Sequence, residues 1–386
     1  MKIKQNICIM YLLSLLQGMV FYAPVATLYR QAAGVSVLQM MALESISLVV
    51  SILLELPWGV AADRIGYRRT MILCCGLYFL SKIVFWRASG FAAFLAERLL
   101  LSVVFAGLSG VDVSVLYLSS GKEEAQKVFG IYQALGTAGL LTAAGVYAGF
   151  IREDYRLAGL LTVCSYGAAA ILSFGLREVK PESGEKRETA ADFKGEIKRL
   201  SANRPVLLFL LSVALLNETH QAVATFLNQI QYVKCGMTNA EIGWVYLAVT
   251  VLGLSAGFSA RLTGRFGRVR FGAVLFALCA AACTVLAGTS SAAVSILAVA
   301  VLEIGFCLFQ PLQTQLQNQA VQTENRATAL SMHALLFDST AVLTNLLFGK
   351  LAEAGIGFAM LLGVGLCAAG LVLFLRSSRQ ILSSYI

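Results

Sequence analysis

The stretch Gly59-Val60-Ala61-Ala62-Asp63-Arg64-Ile65-Gly66-Tyr67-Arg68-Arg69 joins two long apolar runs, and Glu55-Leu56-Pro57-Trp58 precedes it. The two glycines let helix ends and a tight turn approach closely. Asp63 is placed to cap the helix that follows and to meet a neighbouring helix end. Arg64, Arg68 and Arg69 fall at the level of anionic lipid head groups. A second copy reads Gly257-Phe258-Ser259-Ala260-Arg261-Leu262-Thr263-Gly264-Arg265-Phe266-Gly267-Arg268. Gly59 and Gly257 are 198 residues apart, as are Gly66 and Gly264. Arg261 stands where Asp63 has its counterpart, so the second copy is degenerate. A polar turn repeated at this interval points to a duplicated chain.

Outward from this turn the chain is apolar. Of 386 residues, 58% are hydrophobic and only 13% charged, with a mean hydropathy of +0.76. A soluble domain is about 25% charged. These values exclude a cytosolic enzyme, a secreted disulfide module and a disordered tail. They leave an all-α integral membrane protein. About twelve runs are long enough to cross the hydrocarbon as helices. The first covers about 6–28, the fourth 92–118, the seventh 205–231 and the eighth 240–263. One polar segment, EVKPESGEKRETAADFKGEIKRLSANR at 178–204, divides them into six and six. The expected organisation is a six-helix bundle at 1–177, a cytoplasmic linker at 178–204 and a second bundle at 205–386. A short amphipathic helix is expected near Phe193 to Leu200.

The formal charge is +9. Twenty-two Lys and Arg fall in loops on the side of the N-terminus and six on the other, with Lys82 and Arg98 inside spans. That asymmetry puts both termini in the cytoplasm and accounts for the net charge without nucleic acid. The first span reads as a retained helix of a plasma-membrane protein, not as a cleaved signal. Eight of the nine cysteines lie in or against apolar runs, so no disulfide framework is expected. Cys279 and Cys283 share a helix face with no third ligand nearby. They read as packing residues, and no metal or cofactor is expected.

The sequence resembles the major facilitator superfamily. The hallmark of that family between its second and third helices is carried here by Gly59, Asp63, Arg64, Gly66, Arg68 and Arg69. Tyr67 stands where a basic residue is common. The resemblance implies two pseudo-symmetric six-helix bundles that alternate access to a central site, and a small-molecule substrate. It implies that helices one, four, seven and ten line the cavity and that the chain works as a monomer. It also implies that the Gly59–Arg69 turn latches the halves in the outward-facing state; the other reading is that its arginines only set topology. Arg98 stands where the family often has an arginine in helix four. The fifth span lacks the glycine–proline pair of many antiporters.

Ionisable groups at mid-membrane cost about 2.5–3.5 kcal/mol each on insertion scales, so each needs a reason. Helical spacing puts Glu44, Ser51 and Glu55 on one face, and Arg98, Ser102, Ser109 and Asp112 on another. It also groups Asn217, Gln221, Thr225 and Asn228, beside Glu218 and His220, and groups Glu303, Gln310, Thr314 and Gln317, beside Gln313. Ser331, Asp338 and Asn345 are seven apart, and Gln17 lies within the first span. Glu218, Glu303 and Asp338 are the best candidates for proton coupling; hydrogen-bonded structural glue is the competing role. Lys82 is expected to snorkel. His333 and Asp338 have an acyltransferase spacing but diverge on a continuous helix. No nucleotide-binding motif is present, so no catalytic residue is expected and the chain is not read as an enzyme.

These residues favour a secondary transporter, with proton-coupled efflux of a small amphipathic or cationic compound as the first reading. Uptake of a nutrient or metabolite, by symport or uniport, is the alternative.

Overall fold

The computed structural model describes residues 4–120, 124–179, 203–320 and 326–383. It contains twelve helices long and apolar enough to span a membrane, and no strand among the described residues. They are α1 (Lys4–Ala32), α2 (Val37–Ile65), α3 (Tyr67–Arg87), α4 (Gly90–Ser120), α5 (Ala125–Ile151) and α6 (Tyr155–Ser173). The series continues with α7 (Arg204–Lys234), α8 (Asn239–Phe266), α9 (Arg268–Gly288), α10 (Ala292–Ala320), α11 (Arg326–Ala354) and α12 (Ile356–Ser383). In lipid only helices and closed barrels satisfy the backbone, which is why apolar runs of this length fold as they do. Most of the linker lies outside the described residues, including the amphipathic helix expected at Phe193 to Leu200.

Local chemistry fixes the helix starts. Ser36 and Gln39 form a reciprocal capping box ahead of α2. Thr238 and Glu241 form another at α8. Asp154 caps α6 by accepting from Leu157 N at 2.9 Å. Asn203 does the same for α7, whose first turn also carries Pro205.

Contacts divide the chain into two units. Unit one comprises α1–α6 together with Thr238–Leu247 at the start of α8. Its core contains Met10, Leu13, Met71, Cys75, Leu116 and Ala169. α1 and α5 approach so closely that a Cβ on Gly139 would strike the Leu15 carbonyl oxygen, and one on Gly18 the Gly136 carbonyl oxygen. Unit two comprises α7, α8 from Ala248, and α9–α12. Phe209, Phe276, Phe309 and Phe374 form its aromatic core, with ring centroids 5.2–6.5 Å apart. Cys279 and Cys283 are buried free thiols.

Several helices are not the continuous rods their hydropathy suggests. α1 stops at Gly18, resumes as a 3₁₀ turn over Ala23–Val25 and runs on to Ala32, beyond the expected end at 28. Arg30, expected in a loop, is therefore helical, and it is buried. α4 breaks at Ser109–Gly110, where Gly110 has φ +77°. The face proposed to carry Arg98 through Asp112 is thus divided. α7 widens to a π-helix over Gln221–Leu227, which rotates everything beyond it. Gln221 and Thr225 are exposed and Asn228 is buried, so these residues do not form one stripe.

The repeat is real in conformation but shifted in register. Gly66 precedes α3 with φ 93° and ψ 148°, and Gly267 precedes α9 with φ 79° and ψ 147°. The structural counterpart of Gly66 is Gly267, not Gly264.

Candidate functional site

In unit one, α1, α2 and α4 bring buried charges together. Arg98 pairs directly with Glu44, and Arg30 Nη1 lies 3.8 Å from the same carboxylate. Glu97, only 1% exposed, lies 3.7 Å from Arg98 Nε. Below this group Ser47 and Ser102 tie α2 to α4 through hydroxyls 2.8 Å apart. Arg98 thus has Glu44 as its counter-charge. Asp112, past the break, accepts from Val113 N instead.

Lys82 does not snorkel. It is 5% exposed, and its ammonium donates to Tyr22 Oη at 3.2 Å. The same nitrogen lies 4.9 Å, 5.0 Å and 5.8 Å from the ring centroids of Tyr78, Tyr166 and Tyr22. Such distances are those of cation–π contacts. The break in α1 helps to build this cage, because it lets Tyr22 turn inward and stack on Phe85 at 4.0 Å. α6 satisfies the backbone there: Tyr166 Oη donates to Gln17 O, Ser165 Oγ donates to Leu16 O, and Thr162 Oγ1 accepts from Phe21 N. Beside the cage lies a cavity of about 420 Å³ whose lining includes Gln17, Tyr78, Tyr132, Gln133, Thr137 and Tyr166.

In the Gly59–Arg69 turn, Arg68 carries the visible bonds. Its guanidinium donates to the carbonyls of Leu176 at 2.5 Å and Phe174 at 3.1 Å, and its backbone N–H donates to Glu178. It therefore ties the start of α3 to the end of α6. Arg64 and Arg69 are exposed. The side-chain surroundings of Glu55, Gly59 and Asp63 lie outside the described residues.

In unit two, His220 Nε2 lies 2.7 Å from Glu303 Oε2, joining α7 to α10. Its imidazole stacks on Phe306 at 3.8 Å, with an interplanar angle of 7°. Cys307 Sγ donates to the other Glu303 oxygen at 3.3 Å. Glu218 is buried and within electrostatic reach of Asp338. Asn217 Oδ1 and the buried Gln313 Oε1 have no hydrogen-bond partner among the described residues. Gln317 bonds the ring of His333, apart from Asp338. Gln310 contributes a backbone carbonyl, which accepts from Thr314.

The sequence pointed to Glu44, Arg98 and Glu303 but missed Arg30, Glu97, the Tyr cage and the role of His220. Tyr78, one helical turn before Lys82, was the local signal available for the cage. His220 had only its place beside Glu218.

Twelve spanning helices in two units, with ionisable pairs buried inside them, define a polytopic membrane protein. The chain matches the model of the Major Facilitator Superfamily over residues 7–344, and it belongs to that family. It is therefore a secondary transporter and not an enzyme. No protein of curated function matches its sequence. Its fold is similar to that of the nucleoside transporter NupG, with a TM-score of 0.80, 14% identity, and 97% of this chain and 98% of that one covered. It is also similar to a bacterial homologue of the human lysosomal transporter Spinster in an inward-facing, unoccupied conformation (0.78, 15%, 98% and 96%). A POT family transporter in complex with 5-aminolevulinic acid is similar at 0.72, with 12% identity and coverage of 97% and 96%. At these identities the likeness establishes the fold alone.

Proposed function

We propose that the chain is a proton-coupled exporter of a small, partly apolar organic molecule, working by alternating access as a monomer in the plasma membrane with both termini in the cytoplasm. The observation that carries proton coupling is the His220–Glu303 pair at 2.7 Å between α7 and α10. When the imidazole is protonated the contact is an ion pair, and protonating Glu303 then removes its ionic part. One proton thereby changes how strongly two spanning helices hold together. Glu218 and Asp338 place a second set of carboxylates within electrostatic reach of each other in the same unit.

The sequence favours a small amphipathic or cationic substrate. Arg30, Lys82 and Arg98, which among the described residues face only Glu44 and Glu97, weigh against a cation at this place in unit one. The latch assigned to the Gly59–Arg69 turn belongs to the same proposal. The bonds of Arg68, from the start of α3 to the end of α6, lie within unit one and hold the turn in place there.

The test uses inverted vesicles with an acid interior and a pH-sensitive dye. Added organic compounds should release protons in wild type, and Glu303→Gln or His220→Gln should abolish that release. Solute flux with no proton movement would sink the coupling, and solute entering the cell with the proton would reverse the direction.

A further inference from the structure

Among the described residues, the charges clustered between α1, α2, α3 and α4 do not balance. Arg30, Lys82 and Arg98 face Glu44 and Glu97, which leaves one positive charge in excess when all are ionised. Arg98 takes the closest contacts of both carboxylates, and Arg30 shares Glu44 at 3.8 Å. Lys82 has no ion pair among the described residues. Glu97 acts on it only at longer range. Its only hydrogen-bond partner among the described residues is the Tyr22 hydroxyl, and three aromatic faces surround it. An ammonium buried among spanning helices without a counter-ion is costly, and it signals a missing partner. Tyr78 and Tyr166, the nearest two faces, also line the 420 Å³ cavity. One layer of rings thus separates the ammonium from space of ligand size. Gln17, Gln133 and Thr137 offer further hydrogen-bonding groups in the same lining.

We propose that the unit-one cavity is a substrate site for an organic monoanion, a carboxylate on an aromatic or otherwise apolar body, with the Lys82 ammonium in its tyrosine cage as the anion-selecting charge. A single excess charge suits a monocarboxylate better than a phosphate dianion. The aromatic walls suit a flat apolar body. This deepens the transporter reading and depends on it for the word substrate, but it does not depend on proton coupling or on the direction of transport.

The experiment is counterflow in proteoliposomes of the full chain at equal pH on both sides, so that no gradient takes part. The probes are matched pairs, benzoate with benzamide and indole-3-acetate with indole-3-acetamide. Solute-induced thermal stabilisation of the purified protein is read in parallel. Wild type should respond to each carboxylate at a concentration at least tenfold lower than to its amide. Lys82→Met should bring that ratio to about one, and Lys82→Arg should keep it above one. Equal response to acid and amide, a ratio that survives Lys82→Met, or no response to any carboxylate by folded wild type would overturn the proposal. Carboxylate exchange without proton release in the dye assay would leave this site standing and remove only the coupling.

Discussion

Replacing Glu44 by Gln should be among the most damaging isosteric changes in unit one. The carboxylate pairs with Arg98 and lies 3.8 Å from Arg30, whose residue is 4% exposed. At an effective dielectric constant of about 20, the Arg30 contact alone is worth about 4 kcal/mol before desolvation is counted. Gln keeps the shape but withdraws the charge, so among the described residues three buried cations would face Glu97 alone. Breaking one side of a buried ion pair costs about 3–5 kcal/mol. For a unit of this size, 1 kcal/mol moves the midpoint by about 2–4 °C. Thermal unfolding in detergent, followed by loss of the monodisperse peak, should therefore shift down by at least about 6 °C. Glu44→Leu with Arg98→Leu should lose less than the two single changes together, because the uncompensated charge is removed with its partner. A Glu44→Gln melt within about 2 °C of wild type would refute the reasoning.

Two further outcomes follow from packing. Gly139→Ala drives its methyl into the Leu15 carbonyl, which has no rotamer to escape by, so α1 and α5 must separate. The expected loss is about 1–3 kcal/mol, read as a lower melting midpoint, and an unchanged midpoint would contradict the close approach. Arg68→Ala leaves the Phe174 and Leu176 carbonyls without their donor. Faster proteolysis after residue 174 is expected, and Arg68→Lys should restore protection only in part, since one ammonium cannot reproduce the guanidinium fork.

Hydropathy carried the fold because each span must satisfy its own backbone in lipid, so an apolar run of sufficient length has few other structures to adopt. The same scan is blind to breaks. Nothing in the apolarity of 92–118 separates a continuous helix from one interrupted at Gly110. The π-helical segment of α7 leaves no mark in residue type either. These interruptions decide which polar side chains share a face, so groupings made by uniform helical spacing failed where the helices were irregular. The apolar run before Arg30 ends near 28, which by hydropathy alone leaves it in a loop, whereas Glu44, from the next helix, holds it inside. The helix that carries Lys82 does not by itself reveal where the ammonium lies. Its environment is made by Tyr22 and Tyr166, 60 residues before it and 84 after, and no local pattern reports such a contact.

The joints at Gly66 and Gly267 bear on how a doubled gene drifts. Both hold a backbone conformation, φ near 80–90° with ψ near 147°, that is essentially restricted to glycine. Their surroundings differ completely: the Glu178 carboxylate crowds the first, and nothing lies within 4 Å of the position a Cβ would take on the second. Charges around such a joint can be exchanged or lost, as Asp63 is where Gly264 stands in the second half, while the joint itself admits one residue. The shared ancestry of two diverged halves is therefore better traced through torsion angles than through letters, and alignment by letters alone lands three residues away.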